Sequence, residues 1–303
     1  MRIVVTGREG QVVRSLAQRG PEHGHQIVAL GRPALDLTGD DNPIIAAIEA
    51  PQPEAIISAA AYTAVDKAES EPGLAYAINE AGAASVARAA RKLNIPLVHL
   101  STDYVFDGNK SSPYVEEDPT GPTGVYGASK LAGERAVLAE HENSVILRTA
   151  WVFSPFGTNF VKTMLRLARE RDEVRVVADQ RGNPTSALDI ADAILAIAAN
   201  LLADRSGDQR GIFHMSANGE TSWAEFAEAI FAASHEAGGP SARVRPIGTS
   251  DYPTPARRPA NSRLNCGKLA RVQGVRLPHW RTSTQQVVER LVRSPEQIGK
   301  SYP

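Results

Sequence analysis

Cysteine is almost absent: Cys266 stands alone among 303 residues, which rules out an internal disulfide and any thiolate metal cluster. Net charge is missing too. The 33 basic and 34 acidic residues leave a formal charge of −1, so nothing favours nonspecific binding to nucleic acid or to an anionic membrane, and phosphate recognition has to be local. No apolar run approaches the ~20 residues that a membrane helix needs, and no charged-then-apolar signal segment precedes the first strand-like run. A cytoplasmic location is therefore expected. The seven histidines form no metal-ligand array, since His23 and His25 are one residue apart in PEHGHQ and the others are scattered. No Ser-His-Asp order, internal repeat or low-complexity tract stands out.

What is present is a 42% hydrophobic content on a chain long enough for one large domain, or one domain and a lobe. Apolar strand-like runs (RIVVT, QIVAL, EAIISAA, PLVHLS, SVILRT) alternate with helical patterns such as LAYAINEAGAASVARAARKL. That alternation predicts an α/β fold with a parallel, doubly wound sheet of the Rossmann type, whose ligands lie beyond the carboxyl ends of the strands. After about Trp151 the connections lengthen and Pro and Arg become more frequent. The expectation is a nucleotide-binding domain over 1–151 plus about 186–213, a smaller C-terminal substrate-binding lobe over about 152–185 and 214–293, and a frayed tail at 294–303.

Two local patterns carry chemistry. In RIVVTGREGQVVRSLAQ, Gly7 and Gly10 occupy a turn between a β-branched run and an apolar-periodic helix, so backbone N–H groups at the helix start would face a pyrophosphate. In YGASKLAGE, Tyr126 and Lys130 are four residues apart, on one face of a helix. A free phenol titrates near ~10, so acid/base work close to neutrality asks for roughly 4 kcal/mol of stabilisation of its anion, and a neighbouring ammonium can supply much of it. Thr102 and Asp103 follow PLVHLS and fall at a strand's carboxyl end.

With Gly7-x-x-Gly10, Thr102 after the fourth strand and Tyr126-x-x-x-Lys130, the chain resembles the extended short-chain dehydrogenase/reductase superfamily. The segments AAAYTAVDKAESE (59–71), STDYVFDG (101–108), YGASKLAGE (126–134), RTAWVF (148–153) and YPTPARRPANSRL (252–264) resemble the dTDP-4-dehydrorhamnose reductase family within it. The resemblance implies NAD(P)H-dependent reduction of a 4-keto nucleotide sugar, with Thr102 polarising the carbonyl, Tyr126 delivering the proton, and Lys130 lowering the Tyr126 pKa and binding the nicotinamide ribose. It implies a cofactor path along Gly7, Gly10, Gln11, Val12, Arg32, Asp36, Leu37, Ala59, Ala60, Ala61, Tyr62, Tyr126 and Lys130. Val65, Thr102, Asp103, Tyr104 and Trp151 would then contact the sugar. The related 4,6-dehydratases carry Asp-Glu after the Thr, whereas here the second position is Tyr104, which favours reduction over elimination. In ARRPANSR, the guanidinium forks of Arg257, Arg258 and Arg263 could bind the substrate diphosphate.

Two positions tune these expectations. Val13 stands where the family's glycine turn normally has a third glycine, and its bulk is expected to push the first helix outward at a cost in cofactor affinity. After QIVAL the chain has Gly31 and Arg32 where NAD-specific enzymes place an acid, so NADPH is the expected cofactor, with NADH as the lesser choice. No metal is expected. The assembly left open is a homodimer. Two alternatives also remain open at this point: a reductase for another 4-keto nucleotide sugar, or a noncatalytic binding subunit of the same fold.

Overall fold

The computed structural model describes residues 1–204 and 206–294; of the expected tail, all but Ser294 lies outside the described residues. The first half runs β1 (Arg2–Thr6), α1 (Gln11–Glu22), β2 (Gln26–Leu30), α2 (Asp41–Glu49), β3 (Ala55–Ser58), α3 (Val65–Ala68), α4 (Pro72–Tyr76), α5 (Ala83–Leu93), β4 (Leu97–Thr102), α6 (Val125–Glu140) and β5 (Ser144–Thr149). A π-helical turn, Ala77–Gly82, joins α4 to α5. The second half runs β6 (Val152–Phe153), α7 (Phe160–Leu167), β7 (Glu173–Val177), β8 (Arg181–Gly182), β9 (Thr185–Ser186), α8 (Ala187–Ala203), β10 (Gly211–His214), β11 (Thr221–Ser222), α9 (Trp223–Glu236), β12 (Arg243–Ile247), α10 (Gly267–Val272) and α11 (Trp280–Arg293).

Six strands form one sheet in the order β10-β5-β4-β3-β1-β2, every neighbouring pair parallel. The near-continuous apolar runs of β1, β3 and β5 suit a sheet covered on both faces. On one face Val13 and Leu16 of α1 and Ile190, Ile194 and Ile197 of α8 pack on Ile3, Val5 and Val145. On the other, Ile44 and Ile48 of α2, Val86 and Ala90 of α5, and Val137 of α6 cover Val4, Ile56 and Ile146. The chain leaves β1 for β2 on one side and returns to β3 on the other, so a crevice opens at the carboxyl ends of β1 and β3.

A second core joins α7, α9 and α11 to the parallel pair β7–β12: Phe153, Val161, Met164, Val174, Val176, Phe226, Trp280 and Val288 are buried together. Local signals start its helices. Asn159 Oδ1 accepts from Lys162 N at 3.2 Å at the head of α7, and Ser222 and Glu225 form a reciprocal capping box on α9. One stretch departs from the expected division. Leu269 of α10 and Leu277 are buried against the main sheet's core, with α8 and β10, because α10 covers the flank of β10 and not the lobe.

Candidate active site

Gly7 ends β1 with φ +101°, and a β-carbon there would lie 3.2 Å from Val13 Cγ2 and 3.6 Å from Ala60 Cβ. Only glycine fits this cradle without strain. Gly10 follows as the N-cap of α1, whose first turn has no side-chain cap and no acidic residue, so its N–H groups can take an anion. Across the crevice, Thr6 Oγ1 accepts from Ala59 N and Ala60 N, both at 3.0 Å, and holds the two turns together. Val13 is 2% exposed in the core beneath α1 and fills the space beside the glycine turn.

Arg32 is exposed after β2; the Asp36 carboxyl is held below its usual range by the Thr38 hydrogen bonds, with a smaller contribution from the Arg32 charge. A residue missed in the sequence joins it: the Arg8 side chain lies over Gly31, where a β-carbon would come within 2.8 Å of Arg8 Cγ. Leu37 is buried against Gly82, while Gln11 turns its amide to Ser154 Oγ (2.9 Å) and Asn159 Nδ2 (3.0 Å). Val12 packs on the main core. Ala61 and Tyr62 continue the rim, with Tyr62 fixed through its N–H to Asn79 Oδ1 at 2.8 Å and through its hydroxyl to Glu71 Oε2 at 2.6 Å.

Thr102, Asp103, Tyr104, Tyr126 and Lys130 converge where β4 ends against α6. The Thr102 hydroxyl donates to Asp103 Oδ1 at 3.0 Å and also acts on the Tyr126 phenol. The ring of Tyr104 meets that of Tyr126 edge-on at 5.5 Å. Burial pushes the Asp103 carboxyl up to about 6 against the Thr102 and Ser262 hydroxyls, and burial with the Asp103 charge raises Tyr104 to about 12. Tyr126 is raised as well, first by burial and then by Asp103 and Tyr104. The direct help expected from Lys130 is not what this geometry provides. Its ammonium, lowered to about 8 by burial, donates to Leu100 O at 2.6 Å and faces His99 Nε2 at 3.3 Å. His99 contacts Ser58 Oγ through Nδ1 and is kept neutral by burial and Lys130.

The helix carrying the phenol is held closely. Gly133 lets α6 lie against Asn79 O, and Asn79 Nδ2 donates to Ser129 Oγ at 2.9 Å. The π-helical turn presents Asn79 inward, a use typical of such turns near functional sites. Deeper, Arg148 and Glu134 form a buried ion pair at 2.7 Å, and Ser101 Oγ adds a bond to the same carboxylate, which ties α6 to β4 and β5.

From this point a cleft of about 720 Å³ runs between sheet and lobe, lined by Asp66, Tyr104, Trp151, Phe160, Met164, Arg171, Arg175, Val176, Gln180, Trp223, Ile247, Tyr252, Arg258 and Ser262 among others. Trp151 stacks on Trp223 at 3.6 Å with its backbone at φ +49° and its indole against Gly182. A left-handed non-glycine backbone of this kind costs of order 1–3 kcal/mol and persists only where surroundings enforce it. Thus Trp151 is both a wall of the cleft and a packed aromatic. The expected clamp of three arginines reduces to one. Arg258 lines the cleft, with Nη2 on Asp66 Oδ2 at 2.6 Å. Arg257 is exposed outside it. Arg263 is used within the fold, donating to Asn261 Oδ1, Ser111 O and Glu220 because its loop crosses the lobe there. Val65 starts α3 at the cleft's edge, half-buried. Sequence reasoning missed the lobe's aromatic and apolar lining, Phe160, Met164 and Trp223 among it, because nothing local marks these residues as facing a cleft.

Residues 1–293 match the family model described as RmlD substrate binding domain. A dTDP-4-dehydrorhamnose reductase of Sinorhizobium fredii (strain NBRC 101917 / NGR234) is 53% identical over 289 residues, covering 95% of this chain and 97% of its own. One from Escherichia coli (strain K12) is 40% identical over 300 residues, 96% of this chain and 98% of its own. The crystal structure of the Bacillus anthracis str. Ames dTDP-4-dehydrorhamnose reductase in complex with NADP superimposes with a TM-score of 0.87 at 36% identity, covering 94% of this chain and 98% of that one.

Proposed function

The chain belongs to the family of dTDP-4-dehydrorhamnose reductases, and from that premise we propose that it uses NADPH to reduce the 4-keto group of dTDP-4-dehydro-6-deoxy-L-mannose to dTDP-L-rhamnose. The observation that carries this reading is the Tyr126 phenol, acted on by the Thr102 hydroxyl and set edge-on at 5.5 Å against Tyr104, which lines a cleft of about 720 Å³. The relative whose structure contains NADP is consistent with the cofactor. A dehydratase role has less support, because Tyr104 stands where elimination needs a second carboxylate.

The residues fit a dinucleotide: the Gly7 cradle and the uncapped start of α1 suit its pyrophosphate, and Arg8 and Arg32 suit a 2′-phosphate. When bound, the reduced nicotinamide supplies the hydride. Tyr126, protonated at neutral pH because burial raises its pKa, donates its proton to the oxygen; an alkoxide is far more basic than a phenolate, so the transfer runs downhill. Thr102 donates to the same oxygen once its hydroxyl is released from Asp103. Arg258, held by Asp66, presents a cation to the substrate diphosphate, with Arg171 and Arg175 further along the cleft. Trp151 gives the sugar ring a flat wall. Lys130, one helical turn after Tyr126 on α6, is the residue that would meet the nicotinamide ribose.

We assign the chain to the cytoplasm on the same reading; among the described residues no helix is long and apolar enough to cross a membrane. A homodimer is proposed as its assembly. Following NADPH oxidation at 340 nm with a panel of dTDP-4-keto sugars tests the function. Turnover restricted to a different 4-keto sugar would transfer the assignment to that substrate, and no turnover with any of them would leave a binding subunit.

A further inference from the structure

The acidic stretch Asp66 to Glu71 reaches three surroundings of the site: the Arg258 loop, the Tyr62 rim and the start of α6. Asp66 Oδ1 accepts from Ala256 N at 3.1 Å and Oδ2 from Arg258, so the short helix α3 is tied to the lobe. Glu71 holds the Tyr62 hydroxyl. Between them, Glu69 Oε1 accepts from Val125 N at 2.9 Å, the first N–H of α6. A β-carbon on Gly124, the N-cap of α6, would lie 2.7 Å from that same oxygen.

Like α1, α2 and α5, α6 has no cap from its own N-cap side chain, but unlike them it carries Tyr126 in its first turn. Asn159 caps α7 and Ser222 caps α9 through their own side chains, whereas Gly124 has none to offer and the first turn of α6 contains no acid. That turn includes Tyr126. A helix start without a cap frays within its first turn, and fraying here would move the phenol relative to Thr102, which sits on β4. Glycine at 124 is also what lets a carboxylate from a segment 56 residues away approach the backbone.

We propose that Glu69 is a positioning residue: its carboxylate caps α6 from outside and fixes Tyr126 in its proton-donating place. The consequence for turnover rests on the reductase reading; the consequence for the helix does not. In the full-length protein, Glu69→Ala is expected to speed hydrogen exchange over 124–130 about tenfold, the size of a lost cap, and to lower kcat by a similar factor. The dissociation constant for NADPH should rise less than kcat falls, because the pyrophosphate place at α1 is untouched and only the nicotinamide end, at Tyr126 and Lys130, lies in the loosened turn. Glu69→Gln keeps an acceptor oxygen and should retain most of the protection and most of kcat. Exchange unchanged in Glu69→Ala overturns the inference, as does a Gln variant equally impaired or faster exchange with full kcat. If the unaltered protein oxidises no NADPH with any keto sugar, the reductase reading falls, and the exchange comparison alone decides whether Glu69 holds the helix.

Discussion

Helices α1 and α6 begin alike and are used oppositely. Each starts at a glycine in extended conformation (Gly10 at φ −62°, ψ 150°; Gly124 at φ −144°, ψ 167°), and neither glycine supplies a side-chain cap. In front of α6 stands a carboxylate of the chain itself, Glu69; the first turn of α1 is left to the crevice beside Gly7 and Ala60. The same partial positive charge therefore serves structure in one place and is kept for a ligand anion in the other. The surroundings follow suit. Around α6 the groups are buried and bound (Lys130, Asp103, Glu134), while around α1 the cations Arg8 and Arg32 stay exposed.

The largest effect should come from the closed end. Tyr126→Phe removes only the proton donor, and general acid contributions run to about 10²–10⁴ in rate, so kcat should fall by that range with NADPH affinity unchanged. Near-full kcat would mean that the phenol is merely part of the packed aromatic pair with Tyr104.

The open end can be closed by design. Gly10→Asp places on α1 the kind of carboxylate that α6 receives from Glu69. The backbone at Gly10 is ordinary for any residue, and a β-carbon there meets only Val13 Cγ2, at 3.7 Å. Helix stability should rise by about a few tenths of a kcal/mol. NADPH binding should weaken roughly tenfold or more, since a fixed carboxylate now occupies the place of the pyrophosphate. Titration calorimetry showing unaltered affinity would mean that the anion is held elsewhere.

How much of this contrast could be read from the chain follows from where the interactions lie. The turn of Gly7 and Gly10 and the shared helix of Tyr126 and Lys130 are legible because they are local in sequence, and the sheet is legible because buried parallel strands read as apolar runs. The acceptor of the Lys130 ammonium was not, since Leu100 and His99 lie on another element. Arg263 misled for the same reason: a loop arginine advertises a phosphate site until its distant partners Glu220 and Ser111 are known. The place of Val13 was not legible, because a family pattern says where a glycine usually stands, while its burial beside Gly7 is a matter of packing.

A smaller effect concerns cofactor choice at the open end. Arg32→Ala should raise the dissociation constant for NADPH about tenfold and leave that for NADH nearly unchanged, because a charge-assisted contact to a 2′-phosphate is worth roughly 1.5–3 kcal/mol when fully formed and Arg8, lying over Gly31 beside it, would retain part of the attraction. Equal losses for both cofactors would assign Arg32 to the crevice wall and not to the phosphate.

The smallest expected effect probes the closed end through a proton. Asp103 has its carboxyl raised to about 6 by burial, and Thr102 donates to it at 3.0 Å. Above that pH the carboxylate is charged, holds the Thr102 proton strongly, and by its charge raises the Tyr126 pKa further; an oxyanion forming on the substrate is opposed on both counts. As the pH falls through about 6 the group becomes neutral, Thr102 is freed to turn to the carbonyl, and the repulsion disappears. At saturating substrates kcat should therefore rise on acidification between about pH 7 and 5, by the worth of one hydrogen bond, a factor of roughly 2–10. Asp103→Asn is always neutral and accepts less strongly, so its kcat should be flat over the same window. A profile with the same break in the Asn variant would assign the titration to another group and leave Asp103 as a fixed contact for the sugar.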